Sequence, residues 1–227
     1  MVGHASATRS ISSYSGPVGQ FGDVTYLPRA SAHIVVVPLR SFDSAKSRLR
    51  NAGTMDVTGI AERLARAVIE NCAPLPVVVV CESDDIERFA FANGAAVLRS
   101  PQTGLNNAVS YAYDELTMAC ERVSIVHGDL RFPEGLGGFE PPDTITIVAD
   151  RHGTGTNVLS LPTGLSFHFH YGEASVISHR REAERLGVNV TTLTTSPWRF
   201  DVDVPEDLST PETNGGPSAP HSLGTAF

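Results

Sequence analysis

Three aspartates have the types and spacing to hold a divalent cation together. Asp129 follows an apolar run shortly after its end, and Asp201 and Asp203 stand two positions apart much later in the chain. In an extended segment, residues two apart project to the same face, so the carboxylates of that pair converge. Close carboxylates repel each other unless a cation lies between them, which favours a Mg²⁺ site. The alternative is that these aspartates only cap turns.

Basic side chains cluster after the first apolar run. Arg40, Lys46, Arg48 and Arg50 occur within eleven positions of a chain whose formal net charge is -8. Several cations in one loop suit a triphosphate, because its charge must be offset before a second anion can approach it. The alternative is a solvated basic loop, which is the commoner origin of a run of charge.

Two further segments offer contacts for a ligand. In residues 150–157, DRHGTGTN, the glycines allow close approach of the backbone and the Thr and Asn side chains offer hydrogen bonds. The alternative is a hairpin turn. Residues 171–175, YGEAS, open a predicted helix whose free N–H groups suit a phosphate or carboxylate, or are simply capped. His168 and His170 alternate but lack a third matching ligand, so they indicate a transition-metal site only weakly.

Alternating strand and helix patterns must position these residues. Apolar runs predict strands at residues 33–39, 77–81, 95–98, 123–126, 144–149, 158–161 and 188–193. Helical spacing predicts helices at residues 59–72, 83–93, 105–120, 174–186 and 205–208. This rhythm predicts a single three-layer α/β domain, Rossmann-like, with a mainly parallel (mixed) central sheet. Ligands of such sheets bind outside the carboxyl ends of the strands.

Composition narrows the classes of function. The 227 residues are 41% hydrophobic and 19% charged, which suits one globular domain, and the acidic balance gives no support for binding nucleic acid or anionic membrane. No apolar run approaches membrane-spanning length. Three cysteines without a CxxC spacing argue against a zinc knuckle and favour a reducing, cytoplasmic compartment. We predict a disordered leader at residues 1–31, a domain at 32–208 and a flexible tail at 209–227.

Taken in order, several segments resemble one family, the 2-phospholactate/phosphoenolpyruvate guanylyltransferases of coenzyme F420 biosynthesis. The matching pieces are VVVPLRSFDSAKSRL, TGLNNAV, VSIVHGDL, ADRHGTGTNVLSL, FHYGEASVISHRREAERLG and FDVDVPEDL, which run from about Ile34 to Leu208. The resemblance implies a nucleotidyltransferase-like fold. It also implies Mg²⁺-dependent transfer of GMP from GTP to a small phosphorylated carboxylic acid, with phosphoenolpyruvate preferred and 2-phospho-L-lactate next.

The resemblance assigns roles to individual residues. Mg²⁺ would be held by Asp129, Asp201 and Asp203, the phosphorylated acid by Thr156, Gly172 and Ser175, and the nucleotide by Arg40, Lys46, Arg48 and Asn106. Lys46 and Asp129 would act in catalysis. The family has Lys where Arg40 stands, which keeps the charge and changes its geometry. It has Pro where Arg131 stands, and this arginine would alter a loop or contact an anion.

Two rival interpretations stay open at the level of the sequence. One is another nucleotidyltransferase, which would use CTP or GTP on a sugar phosphate or a pterin. The other is a noncatalytic nucleotide-binding homologue. The oligomeric state is also open, a homodimer included.

Overall fold

The computed structural model describes residues 31–43, 49, 51, 53 and 56–209. The strands are β1 Ser31–Pro38, β2 Val77–Cys81, β3 Ala96–Arg99, β4 Cys120–Val126, β5 Ile145–Ala149, β6 Thr156–Pro162 and β7 Val190–Leu193. The helices are α1 Val57–Asn71, α2 Asp84–Ala92, α3 Leu105–Leu116, α4 Ser175–Leu186 and α5 Pro205–Ser209. Short 3₁₀ turns lie at Leu136–Gly138 and Pro197–Arg199.

The seven strands form one mixed sheet in the order β3-β2-β1-β4-β6-β5-β7. Strand β6 runs antiparallel to both β4 and β5, while the other neighbouring pairs are parallel. This confirms the predicted mainly parallel sheet. Because β6 runs in the opposite direction, its first residues lie at the same edge as the last residues of β4 and β5. Val158 is thus paired with Val126, and Thr156 with Ala149.

Apolar residues pack on both faces of the sheet, which gives the predicted three layers. Ile34 and Val36 of β1 pack in one core with residues of α3 and α4. Val35 and Val37 pack in a second core with residues of α1 and α2. Alternate residues of a strand point to opposite faces, so a continuous apolar run is what a strand covered on both sides requires. No helix among the described residues is long and apolar enough to cross a membrane.

Several predicted boundaries differ from those of the structure by one to four residues. Helix α3 ends at Leu116 instead of residue 120, because a turn follows and Cys120 already belongs to β4. Ser31 was placed in the leader but begins β1, since its N–H donates to the carbonyl of Ala119 at 3.2 Å. The other residues of the predicted leader, and residues 210–227 of the predicted tail, lie outside the described part of the chain.

Helix α4 is tied to the segment before it by the buried carboxylate of Glu182. This carboxylate accepts hydrogen bonds from the main-chain N–H of His168 at 2.9 Å and from the Arg185 guanidinium at 2.7 and 2.9 Å. His168 Nδ1 lies 2.8 Å from it. The guanidinium of Arg185, together with the bonds from His168, lowers the pKa of Glu182 from 4.5 to about 2. The charged form of Glu182 is therefore the form that stabilises the fold.

We expect Glu182→Gln to destabilise the protein by about 2 kcal/mol at pH 7. The Arg185 and His168 side chains are half or more exposed, so solvent screening weakens their interaction with the carboxylate and limits the loss. A carboxyl whose pKa is depressed in the folded state stabilises that state above its unfolded pKa. The deficit of the variant should therefore shrink as the pH falls from about 4.5 toward 2. Urea unfolding at pH 7 and pH 3 measures it, with the exposed Glu184→Gln as control. A deficit that is equal at both pH values would contradict the assignment.

Candidate active site

The carboxylates of Asp129, Asp201 and Asp203 meet at the carboxyl edge of the sheet. One oxygen from each lies within 4.8 Å of the other two, and among the described residues no other set of three or more His, Cys, Asp or Glu is this close. Burial raises the pKa of Asp201, and the neighbouring Asp129 and Asp203 raise it further. Three carboxylate oxygens form a hard donor set that fits Mg²⁺. His168 and His170 are not part of this group.

Main-chain contacts hold the two aspartate segments together. Leu130 and Asp201 form an isolated antiparallel bridge, and the N–H of Val202 donates to the carbonyl of Asp129 at 3.0 Å. The Nδ2 of Asn157, at the start of β6, donates to the carbonyl of Trp198 at 3.1 Å. The approach of the three carboxylates is therefore set by backbone pairing, since this pairing fixes the positions of Asp129 and Asp201.

The loop that carries Asp203 is held by a second, buried aspartate. Asp207 Oδ2 accepts hydrogen bonds from the N–H groups of Asp203 at 2.7 Å and Val204 at 2.9 Å, and its Oδ1 pairs with the Arg151 guanidinium. Burial acts to raise the pKa of Asp207, but the bonds from Val204 and Arg151 outweigh it and the pKa is lowered. Asp207 is thus a charged anchor beneath the predicted metal ligand Asp203.

Arg131, which stands where the resemblance implies a proline, contacts helix α5. Its guanidinium donates to the main-chain oxygen of Asp207, lies 3.4 Å from that of Leu208, and sits 5.0 Å from the ring centroid of Phe132. A cation is favourable near helix C-terminal carbonyls, which otherwise lack partners. These contacts fasten the loop after β4 to helix α5.

A cleft of about 340 Å³ opens beside the three carboxylates, between the ends of β1, β2 and β4 and the start of α3. Its walls include Arg40 of the predicted basic cluster, and Asp129 and Asp203 also line it. Lys46, Arg48 and Arg50, the other cations of that cluster, lie outside the described residues. The cleft has the size of a pocket for a small molecule, and it extends from the end of β2 to the aspartates.

Asn106 connects the cleft wall to the segment predicted to bind the phosphorylated acid. Its side-chain oxygen accepts from the N–H of Tyr171 at 2.6 Å, and its side-chain nitrogen donates to the carbonyl of Tyr171 at 3.0 Å. Both ends of the amide are therefore occupied by one backbone unit. The contact of Asn106 with a nucleotide stays a prediction, and its described bonds link α3 to Tyr171.

Thr156 and Ser175 come together at the start of β6, and Gly172 lies in the segment before α4. The hydroxyl oxygens of Thr156 and Ser175 are 3.1 Å apart, and both side chains are buried. Gly172 is exposed and has a φ of 134°, a conformation that favours glycine. Ser175 is the first residue of α4, where main-chain N–H groups lack partners within the helix. The geometry suits the binding of an anion, and the role of each residue stays a prediction.

The segment 150–155 is the hairpin turn that the sequence left as an alternative. The N–H of Asp150 donates to the carbonyl of Gly155 at 2.8 Å and closes the turn between β5 and β6. The turn also contacts the start of α4, since the N–H of Val176 donates to the carbonyl of Thr154 at 3.1 Å. The hairpin therefore places Thr156 beside Ser175.

Besides Asp207, three residues at the site were not identified from the sequence. Glu82 and His127 directly follow β2 and β4 and line the cleft, so the rule that ligands bind at strand ends would have selected them. His127 Nε2 is buried without a hydrogen-bond partner among the described residues. His179 lies behind Thr156 with its Nδ1 3.1 Å from the Thr156 hydroxyl. No sequence signal marks His179 beyond its place four residues after Ser175.

Comparison with known proteins finds guanylyltransferases that are similar to this chain in sequence. The family model described as "Guanylyl transferase CofC like" matches residues 33–212. The 2-phospho-L-lactate guanylyltransferase of Methanocaldococcus fervens is 28% identical over 77% of this chain and 82% of its own. The phosphoenolpyruvate guanylyltransferase of Rubrobacter xylanophilus is 30% identical over 80% and 94%. The 3-phospho-D-glycerate guanylyltransferase of Phenylobacterium zucineum is 31% identical over 57% and 63%.

Solved structures share the fold at low sequence identity. A nucleotidyl transferase from Methanothermobacter superimposes with a TM-score of 0.55 and 12% identity, over 78% of this chain and 94% of that one. The 4-diphosphocytidyl-2C-methyl-D-erythritol synthase of Anaerococcus prevotii superimposes with a TM-score of 0.52 and 9% identity, over 79% of this chain and 96% of that one. These likenesses concern the fold alone, which is that of nucleotidyltransferases.

Proposed function

The chain belongs to the guanylyl transferase CofC-like family, and from this premise we propose that it transfers GMP from GTP to the phosphate of a small phosphorylated carboxylic acid in coenzyme F420 biosynthesis. We propose phosphoenolpyruvate as this acid, 2-phospho-L-lactate as the alternative, and the cytoplasm as the location. The observation that carries the proposal is the group of three carboxylates within 4.8 Å, two of which line the cleft. Thr156, which contacts Ser175, begins β6 at the same edge of the sheet.

In the proposed reaction, a phosphate oxygen of the acid attacks the α-phosphorus of GTP. A new oxygen–phosphorus bond forms, the bond to the oxygen that bridges the α- and β-phosphates breaks, and pyrophosphate leaves with that electron pair. The second pKa of a phosphate monoester is about 6, so the attacking group is already largely dianionic and needs no general base. The main barrier is repulsion between two polyanions, which the site must offset while it aligns them.

The side chains divide this task between two regions. Arg40, which lines the cleft, would face the triphosphate, while Thr156 and Ser175 would hold the acid on the other side of the aspartates. Asp129, Asp201 and Asp203 would hold Mg²⁺, which would supply charge neutralisation and alignment of the phosphates when bound. The carboxylate of the buried Asp207 keeps Asp203 in place, because it accepts a hydrogen bond from the N–H of Asp203.

Pyrophosphate release tests the proposal directly. Purified protein with Mg²⁺ is incubated with each of the four nucleoside triphosphates and with phosphoenolpyruvate, 2-phospho-L-lactate or 3-phospho-D-glycerate. Release that requires GTP and one of the first two acids is the expected result. A sugar phosphate replaces the acid in a parallel incubation, and pyrophosphate release there with CTP would favour another nucleotidyltransferase. Nucleotide binding without release in any combination would favour a noncatalytic homologue.

Glu82 is the side chain in the cleft best suited to select guanine. Its Oε1 accepts from the N–H of Gly104 at 2.9 Å, which fixes the carboxylate beside the start of α3. A carboxylate only accepts hydrogen bonds. Guanine presents two adjacent donors, its N1–H and its 2-amino group, whereas adenine has a hydrogen-bond-accepting nitrogen at N1. We therefore propose that Glu82 contacts this edge of guanine.

Glu82→Gln should lower kcat/KM for GTP by about ten- to a hundredfold, the usual cost of losing hydrogen bonds to a charged group. The loss should be smaller with inosine triphosphate, which lacks the 2-amino group. Steady-state kinetics with both nucleotides measure this difference, and the exposed Glu115→Gln on α3 is the matched control. An equal loss for the two nucleotides would place Glu82 away from the 2-amino group.

A further inference from the structure

A chain of buried hydrogen bonds runs behind the proposed binding site for the phosphorylated acid. The hydroxyl oxygens of Ser175 and Thr156 are 3.1 Å apart, and Thr156 Oγ1 is 3.1 Å from His179 Nδ1. On the far side of the ring, the main-chain N–H of His170 donates to His179 Nε2 at 3.0 Å. The residues Ser175, Thr156 and His179 are 1%, 2% and 0% exposed, so little water competes for these bonds.

The position of the proton on His179 follows from its neighbours. A main-chain N–H can only donate, so Nε2 of His179 accepts and carries no proton. Burial lowers the pKa of His179 to about 3, with a further decrease from His170 and His127 that a nearby Glu182 opposes. The ring is therefore neutral near pH 7 and has one N–H, on Nδ1. This N–H donates to Thr156 Oγ1.

Counting the hydroxyl protons gives the consequence for a ligand. Thr156 and Ser175 have one hydroxyl proton each, and their mutual hydrogen bond uses one of the two in either direction. Because His179 already donates to Thr156, the second proton is left for a ligand. With the proton on Nε2, Thr156 would donate to the ring and Ser175 to Thr156, and no proton would remain.

We propose that His179 is a positioning residue that makes the Thr156–Ser175 pair a hydrogen-bond donor to an anionic oxygen of the phosphorylated acid. This inference rests on the proposed function, because it takes that acid as the ligand. His179 itself is fully buried behind the hydroxyl pair and acts through Thr156. A donor with a fixed direction favours a charged carboxylate or phosphate oxygen over a neutral hydroxyl group.

Two amide substitutions of His179 separate this role from simple packing. Asn places an N–H near the position of Nδ1, whereas the longer Gln places its amide near Nε2. We expect His179→Gln to raise KM for phosphoenolpyruvate, or for 2-phospho-L-lactate, by about ten- to a hundredfold, and His179→Asn to raise it by less than about threefold. KM for GTP should change little in either variant. Equal acid KM values for the two variants would overturn the inference.

Direct readouts distinguish this inference from the proposed function. In ¹⁵N-histidine NMR of the wild type at pH 7, with the His179 signal assigned from the Asn variant, we expect a proton on Nδ1 and none on Nε2. The opposite tautomer, or a charged ring, would overturn the inference even in an active enzyme. Calorimetric titration with the two acids then replaces KM if turnover is absent. Turnover with other acids but no binding of these two would overturn both the inference and the choice of acid. The proposed nucleotidyl transfer would then still be supported.

Discussion

Substituting Asp129 with Ala should reduce pyrophosphate release with GTP by about a hundred- to a thousandfold, the usual loss when one charge-stabilising group is removed from a reaction centre. Asp129 lines the cleft where we propose that GTP binds, and it belongs to the group of carboxylates within 4.8 Å. It is therefore placed to act on the phosphates of both substrates. Turnover at saturating Mg²⁺ measures the effect, with the exposed Asp114→Asn of α3 as control. Normal turnover in Asp129→Ala would refute this site.

A companion variant shows whether the loss comes from a cation site. The Asp201 carboxylate lies close to those of Asp129 and Asp203, and their repulsion is partly removed in Asp201→Asn. This variant should unfold about 2 to 4 °C higher than the wild type in the presence of chelator, which corresponds to about 1 kcal/mol. It should also lose most of the increase in melting temperature that Mg²⁺ gives the wild type. Loss of turnover in a variant that is as stable as this one would exclude misfolding as the cause. An unchanged Mg²⁺ effect would show that the cation binds elsewhere.

The second large effect is expected at Asp207. Asp207→Ala removes the partner of Arg151 and of two N–H groups, those of Asp203 and Val204. Asp207 is buried and Arg151 is partly exposed, so leaving these groups unpaired should cost about 2 to 4 kcal/mol. This cost corresponds to a decrease of roughly 5 to 15 °C in melting temperature. Because the freed loop carries Asp203, turnover should also fall. Thermal unfolding and pyrophosphate release measure the two effects.

Two neighbouring variants sharpen this test. Asp207→Asn keeps an oxygen that accepts from the main chain but loses the charge that pairs with Arg151, so its loss of stability should be intermediate. Glu206→Ala changes the adjacent exposed residue of α5 and should leave the melting temperature within about 2 °C of wild type. If Asp207→Ala behaves like Glu206→Ala, the anchoring role is wrong.

Local pattern was sufficient to predict which residues gather at the edge of the sheet. Apolar runs located the strands, and Asp129 follows the end of one of them. Spacing by two predicted a common direction for Asp201 and Asp203, and the structure brings all three aspartates together. These inferences need only the geometry of an extended chain and the direction of parallel strands, and both are visible in a sequence.

Predicting the direction of β6 and the roles of the buried Asp207 and His179 would have required information that a local sequence pattern does not contain. An apolar run looks the same whichever way the strand runs, so only the short connection at residues 150–155 pointed to the antiparallel hairpin. Asp207 pairs with Arg151, and His179 with Thr156, across long stretches of sequence. Such contacts arise from the packing of whole elements, which is why a single sequence showed Asp207 and His179 as ordinary helical residues.

The strand order also has a consequence for how acid preference can change during evolution. The ends of β1 and β2 and the start of α3 line the cleft where we propose that GTP binds, whereas β6, α4 and the segment before α4 supply Thr156, Ser175 and Gly172 on the other side of β4. The second half is continuous in sequence, from about residue 145 to 193. A recombination event confined to that stretch would exchange the half that we propose binds the acid, while the half that we propose binds GTP is inherited intact. Chimeras made at those two junctions would reproduce that event in the laboratory.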